Sequence, residues 1–150
     1  MQSTSSHSSL RLRGAVAGVF GGVLAAVLGT SLHGHVVYAG DTAVQAGAVL
    51  ALILSCAVSV FVGLWSRSAV WSAVTGVVTY IVLGIFSSGL GESPLIVTGT
   101  SAAQQPDVVT AGMIWLFGQA LATIAAVFIT ARVLSSDRRA ERAADVSAAG

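Results

Sequence analysis

The sequence predicts an all-α integral membrane protein, a single four-helix bundle with both termini in the cytoplasm. Three observations predict it. Four long apolar runs, at 14–37, 42–64, 69–90 and 108–134, contain no Asp, Glu or Lys, and about 20 apolar residues at 1.5 Å rise each cross a bilayer. Charged residues make up 9% of the 150-residue chain and hydrophobic ones 55%, where a soluble protein carries about a quarter charged. So short a chain cannot bury that much apolar surface in a core of its own; lipid can cover it. Finally, all seven basic residues fall on one side of the four runs.

That third observation orients the chain. Arg11 and Arg13 precede the first run, Arg67 separates the second and third, and Arg132, Arg138, Arg139 and Arg142 close or follow the fourth. The remaining connections, 37–42 and 90–107, carry Asp41, Glu92 and Asp107 and no basic residue. Positively charged short loops stay cytoplasmic, so both termini and the Arg67 turn are expected inside. Lys is absent while Ala, Val, Gly and Arg abound, a usage that suggests a GC-rich bacterial genome and hence the bacterial cytoplasmic membrane.

Taken in order, residues 1–12 are polar and Ser-rich and read as a disordered cytoplasmic segment. The run at 14–37 exceeds the 7–15-residue core of a signal peptide, so it is expected to remain as the first span. The second span ends at Trp65-Ser66-Arg67-Ser68, and Trp71 follows within a turn. Trp at span ends anchors helices at headgroup level, so spans two and three should form a tight hairpin, with Tyr38 as the matching anchor outside. Both prolines, Pro94 and Pro106, lie in the outer connection, which leaves every span free of a proline kink. Asp107 is placed to cap the fourth helix. The tail 135–150, with mixed charges, reads as a cytoplasmic segment that prolongs the fourth helix briefly before fraying.

Small residues recur at every fourth position. Span one has Gly14, Gly18, Gly22 and Ala26, a glycine-zipper pattern with Ala25 and Gly29 beside it, within an arc of about 120°. Span two has Ala43, Gly47, Ala51, Ser55, Ser59 and Gly63; span three has Ser72, Gly76, Gly84 and Ser88 around Tyr80; span four has Gly118, Ala122, Ala126 and Thr130. In lipid, helices associate through close backbone contact at such residues. Bundle packing uses up most of these faces, and a surplus stripe facing lipid would mark a homo-oligomer or a larger membrane complex. Three polar groups share mid-depth: Ser55, Tyr80 and Gln119, the last two about 16 Å from their starting interface. A Tyr hydroxyl and a Gln amide at that level can pair in the bundle interior, or contribute to a ligand site.

Chemistry-bearing motifs are sparse. Cys56, the single cysteine, excludes an intrachain disulfide and multi-cysteine metal sites; within an apolar run it reads as a small hydrophobe. His33 and His35 near the outer end point about 200° apart on a helix and do not form a clamp. Ser31, His33 and Asp41 have the residue types of a triad without any sign of converging, and nucleophile elbows, P-loops and zinc helices are lacking. The expectation is therefore a non-enzyme without metal or cofactor. A net charge of +1 and no aromatic-basic stripe give no reason to expect nucleic acid.

The span lengths, the short inner turn, the outer Gly-Glu-Ser-Pro at 91–94 and the Ile-Trp-Leu-Phe-Gly run at 114–118 resemble the layout of small, functionally uncharacterised four-span membrane proteins of actinobacteria. That resemblance concerns architecture over most of the chain and implies no catalytic or binding residue. The function expected is a structural or accessory membrane subunit packing through small-residue helix faces. The alternative is a small oligomeric transporter or channel unit using the Ser55/Tyr80/Gln119 level.

Overall fold

The computed structural model describes residues 3–40, 42–88, 95–96 and 106–149. Asp41, Glu92 and the 91–94 sequence lie outside the described residues, as does the side chain of His7. Four helices pack together in chain order: α1 (Ser3–His33), α2 (Ala46–Trp65), α3 (Ala69–Ser87) and α4 (Asp107–Ala149). Each is long and apolar enough to cross a membrane. The α2–α3 hairpin forms the middle of the bundle; α1 packs against both of its helices from one side and α4 from the other. Helices α1 and α4 meet where Trp115 reaches Gly29 and Thr30.

The apolar runs and the helices differ at their ends, for local reasons. The first run reaches residue 37, but α1 stops at His33, and Val37–Ala39 (β1) pairs antiparallel with Thr42–Val44 (β2). Val and Thr favour a pleated backbone, and Gly40 adopts the left-handed φ of +64° that a two-residue hairpin loop calls for. Helix α2 accordingly begins at Ala46 rather than at Thr42. At the other end of the bundle α1 starts at Ser3 and α4 runs on to Ala149, so helix extends through residues 3–12 and the tail. Extending a formed helix needs no new nucleus. The tail also spaces Arg138/Glu141 and Arg142/Asp145 three apart, a favourable arrangement.

The α2–α3 turn is a Schellman closure. Ser68 N–H donates to the Gly63 carbonyl (2.9 Å) and Arg67 N–H to that of Leu64 (3.0 Å). Arg67 takes the left-handed position with φ 49°. An exposed ion pair joins Arg67 to Glu141 at 3.4 Å, worth at most about 1 kcal/mol. At the opposite end Tyr38 donates to the Asp107 carboxylate (3.1 Å), tying the hairpin to the start of α4. The hydrogen bond to Asp107, with the charge of that carboxylate, holds the Tyr38 phenol above its ordinary pKa.

The apolar core sits toward this Tyr38 end. Trp115, Leu83 and Ile96 fill it among Ala26, Ala48, Ala51 and Ala111. Ile96 reaches the core because the Leu95 and Ile96 amides both donate to the Phe86 carbonyl. Gly29 leaves room for the Trp115 indole, whose N–H points to Thr30 Oγ1 at 3.4 Å.

Gly47 makes the closest helix-to-backbone contact. Its amide donates to the His35 carbonyl (2.8 Å), and a Cβ there would collide with the Leu32 carbonyl and the His35 amide. A Cβ at Gly84 meets nothing within 4 Å. Gly47→Ala is therefore expected to lower stability by about 1–3 kcal/mol, while Gly84→Ala raises it by about 0.5–1 kcal/mol. Reversible unfolding in mixed micelles measures both.

Candidate functional site

Buried polar side chains line the contacts of α2, α3 and α4, a seam that Thr75 and Thr79 extend toward α1, while His33 is buried apart at the end of α1. Ser55 and Ser59 lie one turn apart on the buried face of α2 that also carries Gly63. Ser72, Thr75 and Thr79 line the buried face of α3. Helix α4 adds Gln119 and Thr130, both fully buried, with half-buried Thr123 between them. Glycines bring the three helices close enough to touch: a Cβ on Gly63 would run into Ser72 and Thr130, and one on Gly76 into Thr123. From Gln119 to Thr130 the seam covers about 16 Å of helix. It occupies the arginine-bearing end of the bundle, below the Trp115 core.

Its hydrogen bonding is incomplete. Thr79 Oγ1 shares its one proton between the Thr75 carbonyl of its own helix (2.9 Å) and the Gly22 carbonyl of α1 (3.1 Å), a bifurcated bond that reaches between helices. Gln119 Nε2 donates to Thr123 Oγ1 (3.3 Å), and Thr123 in turn donates to the Gln119 carbonyl (2.9 Å). Thr75 donates to the Trp71 carbonyl at 2.9 Å. Five buried atoms have no partner: the hydroxyls of Ser55, Ser59, Ser72 and Thr130, and Gln119 Oε1. A buried polar group left unpaired costs about 1–3 kcal/mol, so the seam trades stability for polarity. A row of rotatable hydroxyls one turn apart can accept and donate along the helix direction.

Of the mid-depth trio, the structure brings Ser55 and Gln119 into the interior and leaves Tyr80 out. Tyr80 is 41% exposed and lines a shallow lateral groove between α3 and α4 with Val77, Ile81, Ala120 and Ile124. The expected Tyr80–Gln119 pairing is replaced by the Gln119–Thr123 bond. Helix geometry explains the change. A four-residue stride advances 400°, so it drifts 40° per step. On α3 the buried face follows Ser72, Thr75, Gly76, Thr79 and Leu83, and by Tyr80 and Gly84 the stride has walked off it.

The other small residues stand as follows. Gly14, Gly18, Gly22, Gly47, Ser55, Ser59 and Gly76 are buried, Gly118 and Ala122 half-buried, and Gly84 exposed. Gly14 receives the Trp71 indole, Gly18 and Gly22 face Val74 and Val78, and Gly118 faces Leu52. These contacts are all internal to the bundle. On α2 the stride stays buried from Gly47 to Gly63.

The histidines turn inward on their own backbone. His33 Nδ1 meets the Thr30 carbonyl at 2.5 Å and His35 Nδ1 that of Leu32 at 3.1 Å. The Ser31 hydroxyl donates to the Val27 carbonyl (2.9 Å), so neither side chain is aimed at the other. Among the described residues no three His, Cys, Asp or Glu side chains come together.

The seam makes a stability prediction of opposite signs. Thr79→Val, which removes the bond to Gly22, should lower stability by about 0.6–1.7 kcal/mol. Ser72→Ala and Thr130→Val, which remove orphaned hydroxyls, should leave it unchanged or raise it by about 1 kcal/mol. The same mixed-micelle unfolding reads both. No protein-family model, curated protein or solved structure matches this chain, so its reading rests on its own residues.

Proposed function

We propose that the chain is a non-enzymatic accessory subunit of the bacterial cytoplasmic membrane, with four spans and both termini in the cytoplasm. It docks against a transmembrane helix of a partner protein through the α3–α4 groove around Tyr80. The orientation is supported by the arginines. Arg13, Arg67 and Arg132 lie at one end of the bundle, and Asp107 and Tyr38 at the other, the distribution expected when the arginine end is cytoplasmic. Lipid-facing packing is supported by the exposed Val16, Phe20, Ile53, Phe61, Leu121 and Phe128.

One observation carries the docking role: the Tyr80 phenol. It stands near mid-span on the outer surface, and none of the described residues hydrogen-bonds its hydroxyl. In hydrocarbon an unpaired hydroxyl is costly, and a partner helix that brings an acceptor to it removes that cost. Gly84, one turn along with open space over its Cα, lets such a helix come close. Gly14, Gly18, Gly22, Gly29, Gly47, Gly63, Gly76 and Gly118 all face other helices or the end of α1 within the bundle, so Gly84 marks a surplus small-residue face.

A photo-crosslinking residue at Ile81 in intact cells tests this. It is expected to trap one defined membrane protein, and Tyr80→Phe should weaken the capture about threefold, the factor for one interhelical hydrogen bond. A crosslinker at Phe61, on another face, should give lipid adducts. Lipid adducts alone from both positions would overturn the docking role, and a band at twice the chain mass would replace the partner with a second copy.

The orphaned seam favours a second reading, a passage for water or a small polar solute through the Ser55/Gln119 level. On a Cys56→Ala background, cysteines at 55 and 119 distinguish the two. Reaction with membrane-impermeant thiol reagents supports the passage, and protection from them supports the accessory role.

A further inference from the structure

Two arginines far apart in sequence share one pocket at the cytoplasmic end proposed above. Arg13, Gly14, Trp65, Ser66 and Arg67 line a cavity of about 350 Å³. A second, almost purely apolar groove of about 380 Å³ shares Arg13 and Trp65 with it and continues along Leu12, Val16, Ala17 and Phe20 of α1. Polar capacity is confined to the first, and the second offers apolar surface alone. The Ser66 hydroxyl is already committed to the Val62 carbonyl (2.6 Å), so the remaining side-chain donors are the two guanidiniums, that of Arg67 shared with Glu141, and the Trp65 indole N–H.

Arg67 is held there at a cost. The Schellman turn places it in the left-handed region at φ 49°, where glycine sits without strain and other residues do not. Strained positions of this kind cluster at functional sites. The acid nearest to Arg67 is Glu141, at 3.4 Å, and both side chains are 64% exposed. Such a pair is weak and easily exchanged for another anion. No acidic residue lines either cavity.

We infer that this composite pocket binds an anionic phospholipid of the cytoplasmic leaflet. The phosphate sits between Arg13 and Arg67, Trp65 lies at the glycerol level, and one acyl chain follows Val16 and Phe20. Charge complementarity selects the headgroup, and the apolar groove continuing from the same two residues selects a lipid over a soluble anion. Basic pockets between helices on the cytoplasmic side commonly serve this purpose, and Trp belongs at headgroup depth. The inference rests on the membrane reading above.

The full chain is first floated with vesicles of phosphatidylcholine alone, then studied by native mass spectrometry with phosphatidylglycerol and phosphatidylcholine offered together. Phosphatidylglycerol should be retained in preference. Arg13→Gln and Arg67→Gly should each reduce that preference about fivefold, the factor for one basic side chain beside an anionic surface. Arg67→Gly relaxes the turn, so its loss cannot be ascribed to unfolding. Glu141→Gln, which frees Arg67, should hold or strengthen binding. Equal retention of the two lipids, an unchanged preference in the Arg13→Gln/Arg67→Gly double variant, or equal competition by soluble glycerol phosphate would each overturn the lipid site. A chain that does not float would overturn the membrane reading with it.

Discussion

Close approach of helix backbones at glycine, alanine and serine holds this bundle together, and the rest of the structure depends on it. In the lipid setting proposed for it, apolar side chains gain little by leaving lipid for one another, so packing contact has to supply the cohesion. The contacts are hole-and-knob pairs: Gly14 under Trp71, Gly22 against Val78, Gly29 under Trp115, Gly63 against Ser72 and Thr130, Gly76 against Thr123. They accompany an arrangement in which α1 and α4 each touch both helices of the α2–α3 hairpin. At Gly47 the approach is close enough for a backbone hydrogen bond to the end of α1.

Small residues bring polarity with them. Serine and threonine are nearly as compact as alanine and valine, so a tight seam can be built from either. This chain uses hydroxyls toward the arginine end and apolar bulk, Trp115, Leu83 and Ile96, toward the Tyr38 end. The interior is therefore asymmetric along its length. A polar seam backed by an apolar plug differs from a continuous polar column, and this favours the accessory role over the passage. It also leaves chemistry to the periphery: an outward phenol on α3 and a pair of arginines beside exposed Trp65.

Much of the architecture was legible in the sequence because its signal is strong and local. Runs of about 20 apolar residues without a charge have few alternatives to spanning helices, and Trp65 and Trp71 bracket a turn too short for anything but a hairpin. The helix ends were less legible. Val36, Val37 and Tyr38 are as apolar as the helix before them, and hydropathy does not separate a strand there from another helical turn. The long extension of α4 also escapes an apolar pattern, since its residues are helix formers without being hydrophobic.

The site was legible in part. Ser55 and Gln119 lie inside, as their small-residue faces imply, but counting fours along α3 ignores the 40° drift that carries Tyr80 outward. The Arg13–Arg67 pocket left no local signature, because its two arginines meet only through the way α1 lies beside the hairpin turn. A nitroxide scan along α4 in lipid bilayers tests most directly whether this bundle closes on its small-residue faces. Labels at Phe117, Leu121, Ile124 and Phe128 should collide freely with dissolved oxygen while labels at Gln119, Ala126 and Thr130 are shielded, giving a 3.6-residue period. Uniform oxygen access around the helix, or high access to a water-soluble relaxant along its middle, would contradict it.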